Sequence, residues 1–131
     1  MPPSVAELPE LDGILLGATV EPWDANDAVA RRYLATLTKY VPGAVPSGSG
    51  SEGWAAALMF EKVAANLPDN PSPQDVYGGL WKVKKFDFDG YTAPLTYTQG
   101  QPASYPTCWW TMQIRNKQWT TPDGGKRGCA K

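Results

Sequence analysis

The sequence predicts an α/β chain. Three observations carry that prediction. A short apolar run lies near the N-terminus, from Leu11 to Gly17. Three segments with helical spacing of apolar residues follow between residues 24 and 85. A tryptophan-rich stretch of strand formers, Cys108 to Trp119, closes the chain. With 131 residues and 42% apolar content, the chain is one domain at most or a piece of one, and wholesale disorder is excluded.

Residues 1–10 read as an irregular lead-in. The run Gly13-Ile14-Leu15-Leu16-Gly17 is continuously apolar and bounded by glycines. That pattern fits a strand buried on both faces, as in a parallel sheet. A parallel strand needs neighbours, and the chain offers no second run of this kind. Residues 24–41 form the strongest helix, with Val29, Tyr33, Leu34, Leu37, Tyr40 and Val41 at helical spacing. Asp24, Asn26 and Asp27 supply N-cap candidates, and Pro42-Gly43 is the stop. The segment Ser47-Gly48-Ser49-Gly50-Ser51 has the composition of a flexible linker. It also carries Ser49-x-x-Glu52, a capping-box pattern that favours a helix start here. The helix over 52–66 places Trp54, Leu58, Met59 and Val63 on one side. A third helix begins at Ser72-Pro73 with Asp75 at its third position. Its inward face is Val76, Tyr77, Leu80 and Trp81, and Gly78-Gly79 weakens it. Beyond it come the β-forming Tyr91-Thr92 and Pro94 to Tyr97, a loop from Gly100 to Pro106, and a hairpin turning at Asn116-Lys117.

Charge and composition exclude several function classes. Twelve Lys and Arg balance thirteen Asp and Glu, so no basic excess points to nucleic acid. The chain has no histidine, which removes the commonest general base, the Ser-His and Cys-His pairs and most zinc sites. No run approaches the roughly 18 apolar residues that span a bilayer. Met1-Pro2-Pro3 has no basic n-region and no apolar h-region, so no signal peptide is expected in this chain. Counted from Asp24, an EF-hand loop fails, with Val29 where glycine and Ala35 where glutamate belong. Asp87 and Asp89 read as a solvated turn. No dinucleotide, Walker, CxxC or HExxH pattern occurs. No enzyme activity, cofactor or metal is expected. Cys108 lies in a strand and Cys129 in a polar tail, which suggests a disulfide pinning the tail to the hairpin; two free thiols are the alternative. Trp109 and Trp110 point to opposite faces of their strand, so one lies outside the hairpin's own core.

The order of elements resembles a known family. It opens with Leu11-Asp12-Gly13-Ile14-Leu15-Leu16-Gly17 and Ala18-Thr19-Val20-Glu21-Pro22-Trp23. It continues through Lys39-Tyr40-Val41-Pro42, Gly53-Trp54-Ala55-Ala56 and Asn70-Pro71-Ser72. It ends with Phe86 to Tyr97, including Asp89-Gly90-Tyr91-Thr92-Ala93-Pro94-Leu95-Thr96-Tyr97, and Cys108 to Ile114. Over residues 11–131 this is similar to the C-terminal third of a type I periplasmic binding protein, of the branched-chain amino acid type that serves ABC transporters.

The resemblance implies a partial periplasmic-binding-protein type I fold: one buried strand, three helices and a C-terminal β-hairpin. It implies two lobes that close on a small ligand by hinge motion. Ala18, Thr19, Val20, Glu21 and Pro22 correspond to a hinge crossover. Ser47, Ser49, Ser51 and Trp54 lie where the family lines part of its cleft, and hydroxyls and N–H groups at a helix start suit a carboxylate. The implied function is an extracytoplasmic solute-binding component, specific in its full form for an amino acid or similar small polar solute. Its partners would be that solute, the transporter's membrane subunits, and the missing upstream lobe or a second copy; no nucleic acid is expected. The chain alone is expected to be incomplete, with apolar surface uncovered. A free-standing, aromatic-rich module that binds carbohydrate or protein is the alternative.

Overall fold

The computed structural model describes residues 3–103 and 105–130. Met1 and Pro2 of the lead-in, Ser104 of the Gly100–Pro106 loop and Lys131 of the tail lie outside them. Two short 3-10 turns, Pro3–Glu7 and Pro9–Leu11, lead into strand β1, Leu15–Ala18. Helices α1 (Ala28–Tyr40), α2 (Gly48–Ala64) and α3 (Pro73–Trp81) follow. The chain then returns to the sheet through β2 (Cys108–Arg115), β3 (Gln118–Thr120) and β4 (Gly128–Cys129).

The sheet is antiparallel. β1 lies beside β2, with Leu15 opposite Gln113 and Ala18 opposite Trp110. β3 takes the other edge of β2 through a hairpin, and β4 pairs with the beginning of β2. The hairpin turns on Asn116 and Lys117, both left-handed (φ 51° and 62°), the geometry a tight two-residue hairpin demands. Along β2, Cys108, Trp110, Met112 and Ile114 are buried while the residues between them are not. Trp110 is thus the inward member of the tryptophan pair, and Trp109 is 46% exposed.

Expectation and structure part at β1. The apolar run was expected to be buried on both faces beside parallel neighbours. Among the described residues it pairs with β2 alone, antiparallel, and holds no buried residue; Leu15 is 60% exposed. Continuous apolarity reports an environment that the described residues do not supply. The accessible surface agrees: 8528 Å² against about 6,800 Å² expected for a folded monomer of 14.2 kDa.

Each helix starts on a side-chain cap. Asp27 is the cap of α1, accepting from the N–H groups of Val29 and Ala30 at 2.8 Å each. Ser47, not Ser49, caps α2: its hydroxyl accepts from the Gly50 N–H at 3.2 Å. Ser72 caps α3 where the sequence predicted its start, and with Asp75 it forms a reciprocal box. Ser51, Ala55, Met59 and Val63, four residues apart, give α2 its buried stripe. That stripe meets Val20, Val83, Phe88 and Tyr91 in the core. Tyr91-Thr92 and Pro94 to Tyr97 were expected as strand. They form only two isolated bridges, Val20 with Thr92 and Phe86 with Leu95. Left-handed residues at Lys85, Phe88 and Asp89 break the extended backbone a longer ladder requires.

Candidate functional site

The crossover after β1, the start of α2 and residues of the sheet line an open cavity of about 250 Å³. Leu16 to Val20 form one wall, with Met112 and Trp119 from the sheet and Trp23 beyond the crossover. Gly48, Ser49 and Glu52, from the first turns of α2, complete it. The walls are mostly apolar. Polar groups are concentrated at the α2 side, where the Thr19 hydroxyl donates to Glu52 Oε1 at 3.1 Å. Trp119 carries a buried indole N–H without a partner. An apolar pocket with a few convergent polar groups is the usual form of a small-molecule site.

The residues singled out in the sequence divide between this cavity and the core. Ala18, Thr19, Val20 and Ser49 line the cavity. The Ser47 hydroxyl is occupied as the helix cap. Ser51 is fully buried and its hydroxyl has no partner. Its carbonyl receives the Tyr91 hydroxyl at 3.5 Å. Trp54 is a packing residue: its ring lies 5.6 Å from Tyr33 and meets Tyr91 edge-on at 4.9 Å, with the Arg32 guanidinium 5.7 Å over it. The Ser/Gly composition before Trp54 has a packing cause as well. A Cβ on Gly50 would stand 2.8 Å from the Tyr33 hydroxyl. The segment is therefore an ordered helix turn.

Glu21 and Pro22 of the crossover are buried and do not line this cavity. Burial pushes the Glu21 carboxyl up to about 8, reinforced by its hydrogen bond with Asp27 and by that residue's charge, and opposed by Arg127. Partial burial of Asp27 works against its charge. Hydrogen bonds from Ala30, Glu21 and Val29, with Arg31 nearby, outweigh that and hold it below the usual range. Burial raises the Tyr91 hydroxyl.

Sequence reasoning did not find Trp23, Glu52, Met112 or Trp119 as cavity residues. The two tryptophans stood out by composition, but nothing in sequence brings residue 119 next to residue 19. Cys108 and Cys129 stand opposite one another and are joined by a disulfide, as the tail-pinning reading expected. Among the described residues no cluster of three or more His, Cys, Asp or Glu could hold a metal.

No protein-family model matches the sequence. No curated protein matches it significantly. Among solved structures the chain is similar to a possible leucine/isoleucine/valine-binding protein from Rhodopirellula baltica SH 1. The TM-score is 0.72 at 22% identity, over 87% of this chain and 30% of that one. The chain thus spans less than a third of the protein it matches, and it shares the fold of that part.

Proposed function

We propose that the chain is a segment of a non-enzymatic, extracytoplasmic solute-binding protein serving an ABC transporter. Its solute would be an amino acid or similar small polar molecule. The observation that carries this reading is the structural match, which covers 87% of this chain but 30% of its counterpart. The counterpart's description supplies the solute class. Residues 11–131 are read as the C-terminal part of a two-lobed domain. Ala18 to Pro22 act as a hinge, and Ser49, with the helix start between Ser47 and Trp54, contributes one edge of the cleft. The free edge of β1 and the surface excess of about 1,700 Å² support incompleteness; a standard interface covers about 800 Å² on each partner.

Calorimetry with leucine, isoleucine and valine tests this. The isolated chain is expected to bind weakly or not at all, and the two-lobed protein containing it to bind. Tight binding by the chain alone would overturn incompleteness. Failure of the two-lobed protein to bind any amino acid would overturn the solute class. One observation favours the alternative, a carbohydrate- or protein-binding module: Trp109, half-exposed on the sheet's outer face. A tryptophan emission shift on adding an oligosaccharide to a monomeric chain supports that module and counts against the transporter segment.

A further inference from the structure

Four separate parts of the chain meet at Glu21. The crossover presents it, 7% exposed, with Oε2 lacking any partner. From the N-cap of α1 comes Asp27, hydrogen-bonded to it and simultaneously holding the N–H groups of Val29 and Ala30. From the disulfide-pinned tail comes Arg127. That guanidinium is already committed: it donates to the Thr92 carbonyl at 3.0 Å and pairs with Asp87 at 3.6 Å. From the 86–95 segment comes Tyr91, whose carbonyl accepts the Glu21 N–H at 2.8 Å and whose hydroxyl turns away toward Ser51. Tyr33 stands behind Tyr91. The neighbouring residue Val20 bridges to Thr92.

We propose that Glu21 and Asp27 are a proton-operated latch, in which one shared proton locks the Ala18–Pro22 crossover against the start of α1 and the Tyr91-Thr92 segment. In the closed form neutral Glu21 donates its O–H to the Asp27 carboxylate. Asp27 stays charged because it caps a helix, and negative charge is favoured there. Loss of the proton to solvent leaves two adjacent carboxylates, one of them buried. Arg127 can neutralise only part of that charge, since Asp87 already claims it. The pair then opens, and the crossover separates from Tyr91-Thr92. The sign follows from linkage. Glu21 has an ordinary value of 4.5 and a folded value of about 8, so between these the folded chain holds the extra proton. Stability therefore falls as pH rises through that window and levels off above it. The latch does not depend on what solute the protein binds.

Carbon-13 NMR of the full chain, labelled at glutamate carboxyls, reads the proton directly. The Glu21 carboxyl is expected to titrate near pH 8. Asp27→Asn keeps the helix cap but removes the partner charge, and is expected to bring that midpoint down. Amide exchange reads the motion. After correction for intrinsic base catalysis, protection of the Glu21 N–H is expected to fall about tenfold between pH 7 and pH 9, most of it below the midpoint. The Met59 N–H inside α2 should not follow, and Glu21→Gln should abolish the drop. An ordinary carboxylate midpoint for Glu21 overturns the proposal even if the variants fail to fold. So does unchanged protection from pH 7 to pH 9, or the same fall in Glu21→Gln.

Discussion

Gly79 sits in α3 with its α-carbon against Val63 of α2; a Cβ there would stand 2.7 Å from Val63 Cγ1. Its neighbour Gly78 has nothing within 4 Å of the same position. In the sequence the pair simply weakens a helix, since glycine costs about 1 kcal/mol there relative to alanine. The structure separates the two. Gly78→Ala should stabilise by about 0.5–1 kcal/mol, the ordinary helix gain. Gly79→Ala should destabilise, because overpacking of about 1–3 kcal/mol exceeds that gain. Urea unfolding of both variants decides it; a shared sign would refute the close approach of α2 and α3. Caps were the most legible single residues. Ser72 with Asp75 reads from spacing alone, because the interaction is entirely local. At α2 three serines compete within five residues, each a competent cap by residue type, and spacing alone did not pick out Ser47.

At the scale of elements, β2 and its hairpin were readable because alternation and turn residues are short-range signals. β1 was not, because an apolar run states only that its surroundings are apolar. It does not name the partner strand or its direction. Nor could sequence assemble the cavity, whose Thr19–Glu52 bond joins residues 33 apart in sequence. The disulfide belongs to this scale too. It closes a separation of 21 residues around the whole β2–β3 hairpin. Replacing Cys108 and Cys129 by serine should cost about 3 kcal/mol on loop-closure grounds. Thermal unfolding of the oxidised protein and the double variant measures it. Because β4 holds Arg127 in place, the variant should also lose the Asp87–Arg127 pair, visible as a freed Arg127 side chain by NMR.

For the whole molecule, the surface excess and the open β1 edge predict association. Leu15, Leu16, Gly17 and Ala18 carry no charge, proline or bulge, the devices that normally protect an edge strand. The isolated chain should therefore self-associate at tens of micromolar, an order of magnitude chosen for a modest edge contact. Leu15→Lys should shift it toward monomer with little change in melting temperature, since Leu15 is 60% exposed. Sedimentation of the two proteins checks this, and a strictly monomeric parent would rule out an adhesive edge. The register between β1 and β2 has a consequence for synthesis as well. Leu15 meets Gln113, so nearly the whole chain must leave the ribosome before this strand finds its mate. Three helices can form in the meantime from local contacts, while the leucines of β1 wait unpaired. The growing polypeptide thus offers a chaperone a greasy handle early, and pairing with β2 at the end covers only one edge of it.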